Sequence, residues 1–412
     1  MSRLARVLLC ASLLAACGDK EQSSSNDQAA PATPPAPAEP AKPAAAPPDA
    51  AAPAKAPEAE APKPPENVPD APAAKGEFDA QAKTLFRVAA CGGTDAIPER
   101  IPAKLVDAHC AAFDKIIAEY KKQWLDKALP FLASIVPTDL PDRVIYPFGG
   151  SDLITALATF PSAREITIIS LEKSGDVRAI DKLKAEDLGK SLKENRDHLT
   201  FLLRSAFHKT VDLKAMAENG LPGEIVDDMV ALRVHDRAPL TMRYFKIKED
   251  GSLEYVADHV ANVEISFQKA GGAVQTYRHV SADLSDGGLK HNPGLLAYMK
   301  ARAPFTAMTK ASSFLLWEPY FSTIRNFLLE NMVWMISDAT GPLPEHASKA
   351  GFEQVPYGDF SGPEPAFPNL KHKEAMIELW AKSEKRACPI RYGYSDAKRK
   401  PHLLITRKKA GK

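Results

Sequence analysis

From Gly18 to Glu77 the chain carries no aromatic side chain, and its only large aliphatic one is Val68. A segment folds only when apolar burial offsets the conformational entropy it loses, and this stretch has nothing to bury. Fifteen of the 35 prolines lie between Pro31 and Pro72, interleaved with alanine and a few Lys, Glu and Asp. That composition makes a stiffened, soluble spacer, with a reach of up to about 180 Å at roughly 3.1 Å per residue. Folded structure is therefore expected from about Phe78 onward. The roughly 335 residues that remain can bury a sizeable core as one globular α/β domain, 78–412.

What precedes the spacer explains why it is there. Arg3 and Arg6 are followed by an apolar run, Val7 to Ala16, too short to span a bilayer as a helix but suited to the core of a signal peptide, residues 1–16. The run closes on Leu14-Ala15-Ala16-Cys17, then polar Gly18-Asp19-Lys20. These residues resemble the lipobox of bacterial lipoproteins. The resemblance implies cleavage before Cys17, diacylation of its sulfur and acylation of its amine. Residues 17–77 would then be a lipidated tether, and several acyl chains on one residue make stable anchoring, at about 0.8 kcal/mol per buried methylene. Gly18 is not the Asp that resembles an inner-membrane retention signal. The implied location is the cell envelope, at the outer membrane facing periplasm or cell surface, with the membrane itself as a partner through the anchor.

A net charge of +1 gives no global sign of nucleic-acid or membrane binding, and no nucleic-acid partner is expected. The basic end, with Lys398, Arg399, Lys400, Arg407, Lys408, Lys409 and Lys412, reads as a solvated or lipopolysaccharide-facing tail. Beyond Cys10 and Cys17, three cysteines remain: Cys91, Cys110 and Cys388. In an oxidising compartment an odd number leaves one unpaired or paired between chains. Cys91 and Cys110 are the natural pair because they close a short loop, worth about 3 kcal/mol in the chain-entropy model; a pairing of either with Cys388 competes. CxxC, HExxH and paired Cys/His spacings do not occur, so no metal site is expected.

Hydrophobic periodicity orders the rest. Lys104 to Leu125 reads as an amphipathic helix limited by Pro130 and Pro137, with Val106, Cys110, Phe113, Ile117, Tyr120 and Trp124 on one face. Arg143 to Phe148 is a short apolar strand. Gly149-Gly150-Ser151-Asp152 and a helical run with Leu153, Ile154, Leu157 and Phe160 follow, then a second strand, Glu165 to Leu171. Together they make a β-turn-α-β unit with parallel strands. After a helical stretch from about Asp176 to Phe207 the period changes to two. Met229–Val234, Leu240–Ile247, Val263–Phe267 and Ala273–Val280 read as strands of an antiparallel insertion, the last two joined at Gly271-Gly272. Helices are expected at Gly294–Arg302, Phe314–Leu329 and Lys371–Lys385, and strands at Val333–Ile336 and His402–Thr406. The fold expected is a Rossmann-like three-layer core with a helical N-terminal part and that insertion.

Chemistry is expected at the turn after the first strand. Small residues at Gly149, Gly150 and Ser151 would let a ligand approach backbone N–H groups at a helix N-terminus. Glu172 lies 22 positions after Gly150, where a Rossmann-like unit places the acid that binds a ribose. Asp338 ends a later strand and could share that edge. Asp152 would set negative charge where a phosphate is expected, so it reads better as a helix cap. The pattern resembles the nucleotide-binding and methyltransferase class of Rossmann-like folds, without GxGxxG. Tyr146-Pro-Phe-Gly-Gly150 with Asp152, Ser170-Leu-Glu172 with Gly175-Asp176, and Ser337-Asp338 with Thr340-Gly341 also resemble segments of a family of uncharacterised bacterial envelope lipoproteins. That resemblance spans about Phe86 to Arg407 and implies no particular activity or cofactor.

His279 and His291 read as surface residues, and GxSxG is absent. Trp317, Tyr320, Phe321 and Trp334 could stack on sugars, but their helical spacing fits core packing better. Two functions follow. One is an envelope lipoprotein that binds a cell-wall, glycan or protein partner. The other is a Rossmann-like enzyme, or a degenerate methyltransferase-like protein, holding a nucleotide-like ligand at Gly149–Asp152, Glu172 and Asp338.

Overall fold

The short apolar runs Arg143–Pro147 (β1) and Glu165–Ser170 (β2) are each buried over all but their first residue, the pattern of parallel strands covered on both faces. A computed structural model describes residues 75–205, 220–363, 367, 369–394 and 400–409. The expected signal peptide, Cys17, the tether up to residue 74 and basic residues Lys398, Arg399 and Lys412 lie outside the described residues. No described helix is long and apolar enough to cross a membrane.

The other strands are β3 (Arg237–Ile247), β4 (Leu253–Tyr255), β5 (Val263–Lys269), β6 (Val274–Ser281), β7 (Phe305–Thr309), β8 (Met332–Ser337), β9 (Phe352–Gly358) and β10 (His402–Lys408). All ten form one sheet in the order β4-β3-β5-β6-β2-β1-β7-β8-β10-β9. Strands β6, β2, β1, β7 and β8 run parallel, and β10 is antiparallel to both β8 and β9. Counted along the chain, those seven strands lie in the order 3-2-1-4-5-7-6. This is the doubly wound order with an antiparallel strand slotted between the fifth and sixth.

Side chains of alternating phase feed two cores. Val144, Tyr146, Ile166 and Ile168 face a layer that includes helices Asp79–Val88, Ala103–Tyr120, Leu153–Thr159, Ala185–Ser205 and Gly223–Val234. Ile145 and Ile169 face the opposite layer, built from helices including Pro293–Lys300, Ser322–Asn331 and Lys373–Lys382. The chain is α/β with three layers, and its N-terminal part is helical.

The antiparallel insertion, between β2 and β6 in the chain, is part of the main sheet. Strand β6 pairs with β5 on one side and in parallel with β2 on the other, so β3, β4 and β5 extend the main sheet. On the face away from the first core this wing carries charges in register. Glu264 stands opposite both Arg243 and Arg278, and Arg278 reaches on to Glu165 at 2.8 Å. Arg302 also bonds Glu165 and lies 3.5 Å over the Tyr298 ring. Burial alone would push Glu264 and Glu165 upward, but the arginines outweigh it and hold both carboxyls below their ordinary range.

Several elements differ from expectation. Met229–Val234 is not a strand but the end of helix Gly223–Val234, whose residues are all buried except Arg233. A helix buried all round has no solvent-facing polar stripe to set against an apolar one, so its hydrophobic period is weak. Phe314–Leu329 begins as two 3₁₀ turns, Leu315–Trp317 and Pro319–Phe321, before helix Ser322–Asn331. Pro130 lies inside helix Asp126–Ile135, which continues the first amphipathic helix through a wide turn at Lys121–Leu125. Cys91 and Cys110 form a disulfide, with Cα atoms 5.5 Å apart, that ties the loop after Val88 to the Ala103–Tyr120 helix. Cys388 is a free thiol, and burial pushes it up to about 11.

Candidate functional site at the strand ends

The carboxyl ends of β1 and β7 flank the point where the chain, having wound outward through β2 and β6, returns to the other side of β1. Doubly wound sheets bind ligands in the crevice at that switch point. At the end of β1, Phe148 and Gly150 take left-handed backbone angles, φ 61° and 55°. The Gly149 amide donates to the Ile169 carbonyl at 3.1 Å. A Cβ on Gly149 would meet the Ile168 side chain at 2.5 Å, so this glycine serves close packing of the turn on β2.

Asp152 does not cap the following helix: its side chain makes no capping bond. It accepts hydrogen bonds from the Tyr146 hydroxyl at 2.8 Å and the Thr155 hydroxyl at 2.7 Å. Its other partner is the Lys310 ammonium at 2.7 Å, an ion pair in which both side chains are at most 4% exposed. Lys310 also donates to Thr155 at 2.8 Å. Because Lys310 directly follows β7, this pair fills the switch point itself.

The chain beyond Lys310 is strained, with Ala311, Ser313 and Phe314 at φ 50°, 49° and 58°. Such conformations cost about 1–3 kcal/mol each and persist only where surrounding contacts fix them. Asp338 supplies the contact at Ala311. Fully buried, it accepts from the amides of Ala311 at 3.1 Å, Tyr394 at 3.0 Å and Thr340 at 3.0 Å, and from the Thr340 hydroxyl. A Cβ on Gly393 would fall 1.9 Å from this carboxylate. Asp338 is thus a staple joining three segments. The rim outside it keeps Tyr320, half exposed, beside Phe321, whose ring packs edge-on against Phe148 at 5.5 Å. Trp317, Phe321 and Trp334 are core residues.

The neighbouring half of the edge, at the ends of β2 and β6, is built differently. Ser151 donates to Asp227 at 2.8 Å. His279, fully buried on β6 and not at the surface, has Nε2 2.8 Å from the Glu172 carbonyl and Nδ1 3.0 Å from a Glu224 carboxylate oxygen. Both ring nitrogens face acceptors, which favours the imidazolium. Burial opposes that charge, but Glu224 outweighs it and the His279 pKa is raised. Burial, with the Glu224 charge added, holds Asp227 and Asp228 well above the ordinary carboxylate range. His198 lies 3.7 Å from Asp227.

The six expected ligand residues therefore do not line one crevice. Ser151 and Glu172 join the acidic cluster, Asp152 and Asp338 belong to the closed switch point, and Gly149 and Gly150 form the turn between. Sequence reasoning missed Glu224, Asp227 and Asp228. Their spacing of three and four inside the apolar stretch Leu221–Val234 was the available signal, since it puts all three on one face of a helix. Among the described residues, no group of three or more His, Cys, Asp or Glu is arranged to hold a metal ion. No family model matches this sequence, and no curated protein matches it.

Proposed function

We propose that the chain is an envelope lipoprotein of the uncharacterised family its segments resemble, lipidated at Cys17, whose globular part binds an envelope partner or ligand rather than a nucleotide-type cofactor. The observation that carries this reading is the buried Lys310–Asp152 pair. It occupies the crevice in which a Rossmann-like fold of this strand order holds its cofactor, and Asp338 is saturated by the chain's own amides. Exposed apolar side chains on the same edge, Leu171 at 59% and Tyr320 at 50%, offer a surface for a partner. The seven-strand order favours a second reading, a methyltransferase-like enzyme or its remnant, which needs the ion pair to open for its ligand.

A thermal-shift screen of the mature protein separates the two. Nucleotides, S-adenosylmethionine and its product are expected to leave the melting temperature unchanged, whereas a cell-wall fragment or glycan raises it. A ligand at a hundred times its dissociation constant adds about 2.7 kcal/mol, a shift of several degrees. Stabilisation by a nucleotide that disappears in Glu172→Ala would overturn the binding-module reading in favour of the enzyme. Anchoring is checked by Cys17→Ala: unlipidated precursor is expected, and undiminished lipid labelling refutes it.

A further inference from the structure

Buried polar atoms are nearly always hydrogen-bonded, so a group of them left without partners in one place asks for an occupant. The helix Gly223–Val234 and strand β6 enclose such a group. Both oxygens of Asp228, Oε2 of Glu224 and the Tyr277 hydroxyl are each buried and lack a hydrogen-bond partner, as is Oδ1 of Asn195, one turn before His198 on the adjoining helix. Tyr277 points the same way from β6 as His279; its hydroxyl faces Asp228 without reaching hydrogen-bond geometry. It adds a buried polar atom that is not an acid to the unsatisfied group.

The chemistry of a fitting ligand follows from what is unsatisfied. Apart from the tyrosine hydroxyl, the unpartnered atoms of Glu224, Asp228 and Asn195 are oxygens that accept. Glu224, Asp228 and nearby Glu172 outnumber the single cation against them, His279 on Glu224, and among the described residues no Lys or Arg pairs with Glu224 or Asp228. A primary ammonium group carries one positive charge and three donors in a compact head. The donors are not arranged to hold a metal ion. The cluster lies at the carboxyl ends of β2 and β6, beside the switch point, and its outermost acid, Glu172 at 8% exposure, is next to the strongly exposed Leu171.

We infer that Glu224 and Asp228, with Tyr277, recognise the primary ammonium group of a small amine ligand at the β2–β6 end of the sheet. This goes beyond the proposed partner binding and does not depend on it, since it uses the other half of the edge.

The test is calorimetric titration of the full mature protein with 1,4-diaminobutane, glucosamine and ethanolamine, standing for a free polyamine, an amino sugar and a lipid headgroup. The neutral 1,4-butanediol is the control. At least one amine is expected to bind and the diol not, and the amine that binds names the source. Glu224→Gln and Asp228→Asn should each weaken that amine tenfold or more, and Tyr277→Phe, which changes no charge, about threefold. Circular dichroism confirms that each variant is folded; should Glu224→Gln not fold, the other two carry the test. Failure of all three amines to bind the folded wild type, equal binding of the diol, or full amine affinity in the folded variants would each overturn the inference.

Discussion

The two halves of the strand-end edge bury acids to the same depth and treat them in opposite ways. At the switch point, Asp152 and Asp338 are covered by donors: a lysine, hydroxyls and three backbone amides. On the neighbouring half, Asp228 has neither oxygen bonded and Glu224 only its histidine contact. Burial therefore does not distinguish a structural acid from one kept for a ligand. The deficit of partners does, because a satisfied buried charge stabilises a single arrangement, whereas an unsatisfied one costs stability that only an occupant returns.

The comparison breaks most visibly at Lys310. Replacing it by Met leaves Asp152 charged and buried without its cation, a loss of about 3–5 kcal/mol. The denaturation midpoint should drop accordingly, and Asp152→Asn added to Lys310→Met should recover part of the loss. A single Lys310→Met protein as stable as the wild type would mean that the switch point is not held by this pair.

A smaller effect, of opposite sign, sharpens the contrast. Because the folded state raises the Asp228 pKa, this group's contribution to stability is fully present below its unfolded value near 4 and is lost as pH rises through the folded value. Asp228→Asn removes that loss. It should stabilise the protein by about 1 kcal/mol at neutral pH and by little at pH 4, read from melts at both. At acid pH the charged wing acts the other way. The depressed Glu264 and Glu165 carboxyls add stability above their unfolded values, and it is lost as pH falls through the lower folded ones.

Much of the architecture was legible because the deciding residues are local. The β1-turn-β2 unit announces itself by two apolar runs and a glycine turn, and the β5–β6 hairpin by Gly271, which needs its φ of 72°. What was missed lacks local contrast. β7 is five residues, two of them threonine, buried on both faces with no alternation to read. β9 carries Pro356 and polar residues because it sits at the sheet's edge. At the site, Ser151 and Glu172 were found, but their partners come from β6 and from a helix that looked like a strand, more than 50 residues away. Asp152 looked like a cap because its true partner, Lys310, is just as remote.

The position of β10 has a consequence for how the protein is made. It lies between β8 and β9, yet it is the last strand synthesised. Until residues 402–408 emerge, those two neighbours have open edges and no contact through the sheet. The far side of the sheet is therefore the last part of the fold to close. Loss of residues 402–412 would thus remove an interior strand and expose two edges, a far greater injury than trimming a tail.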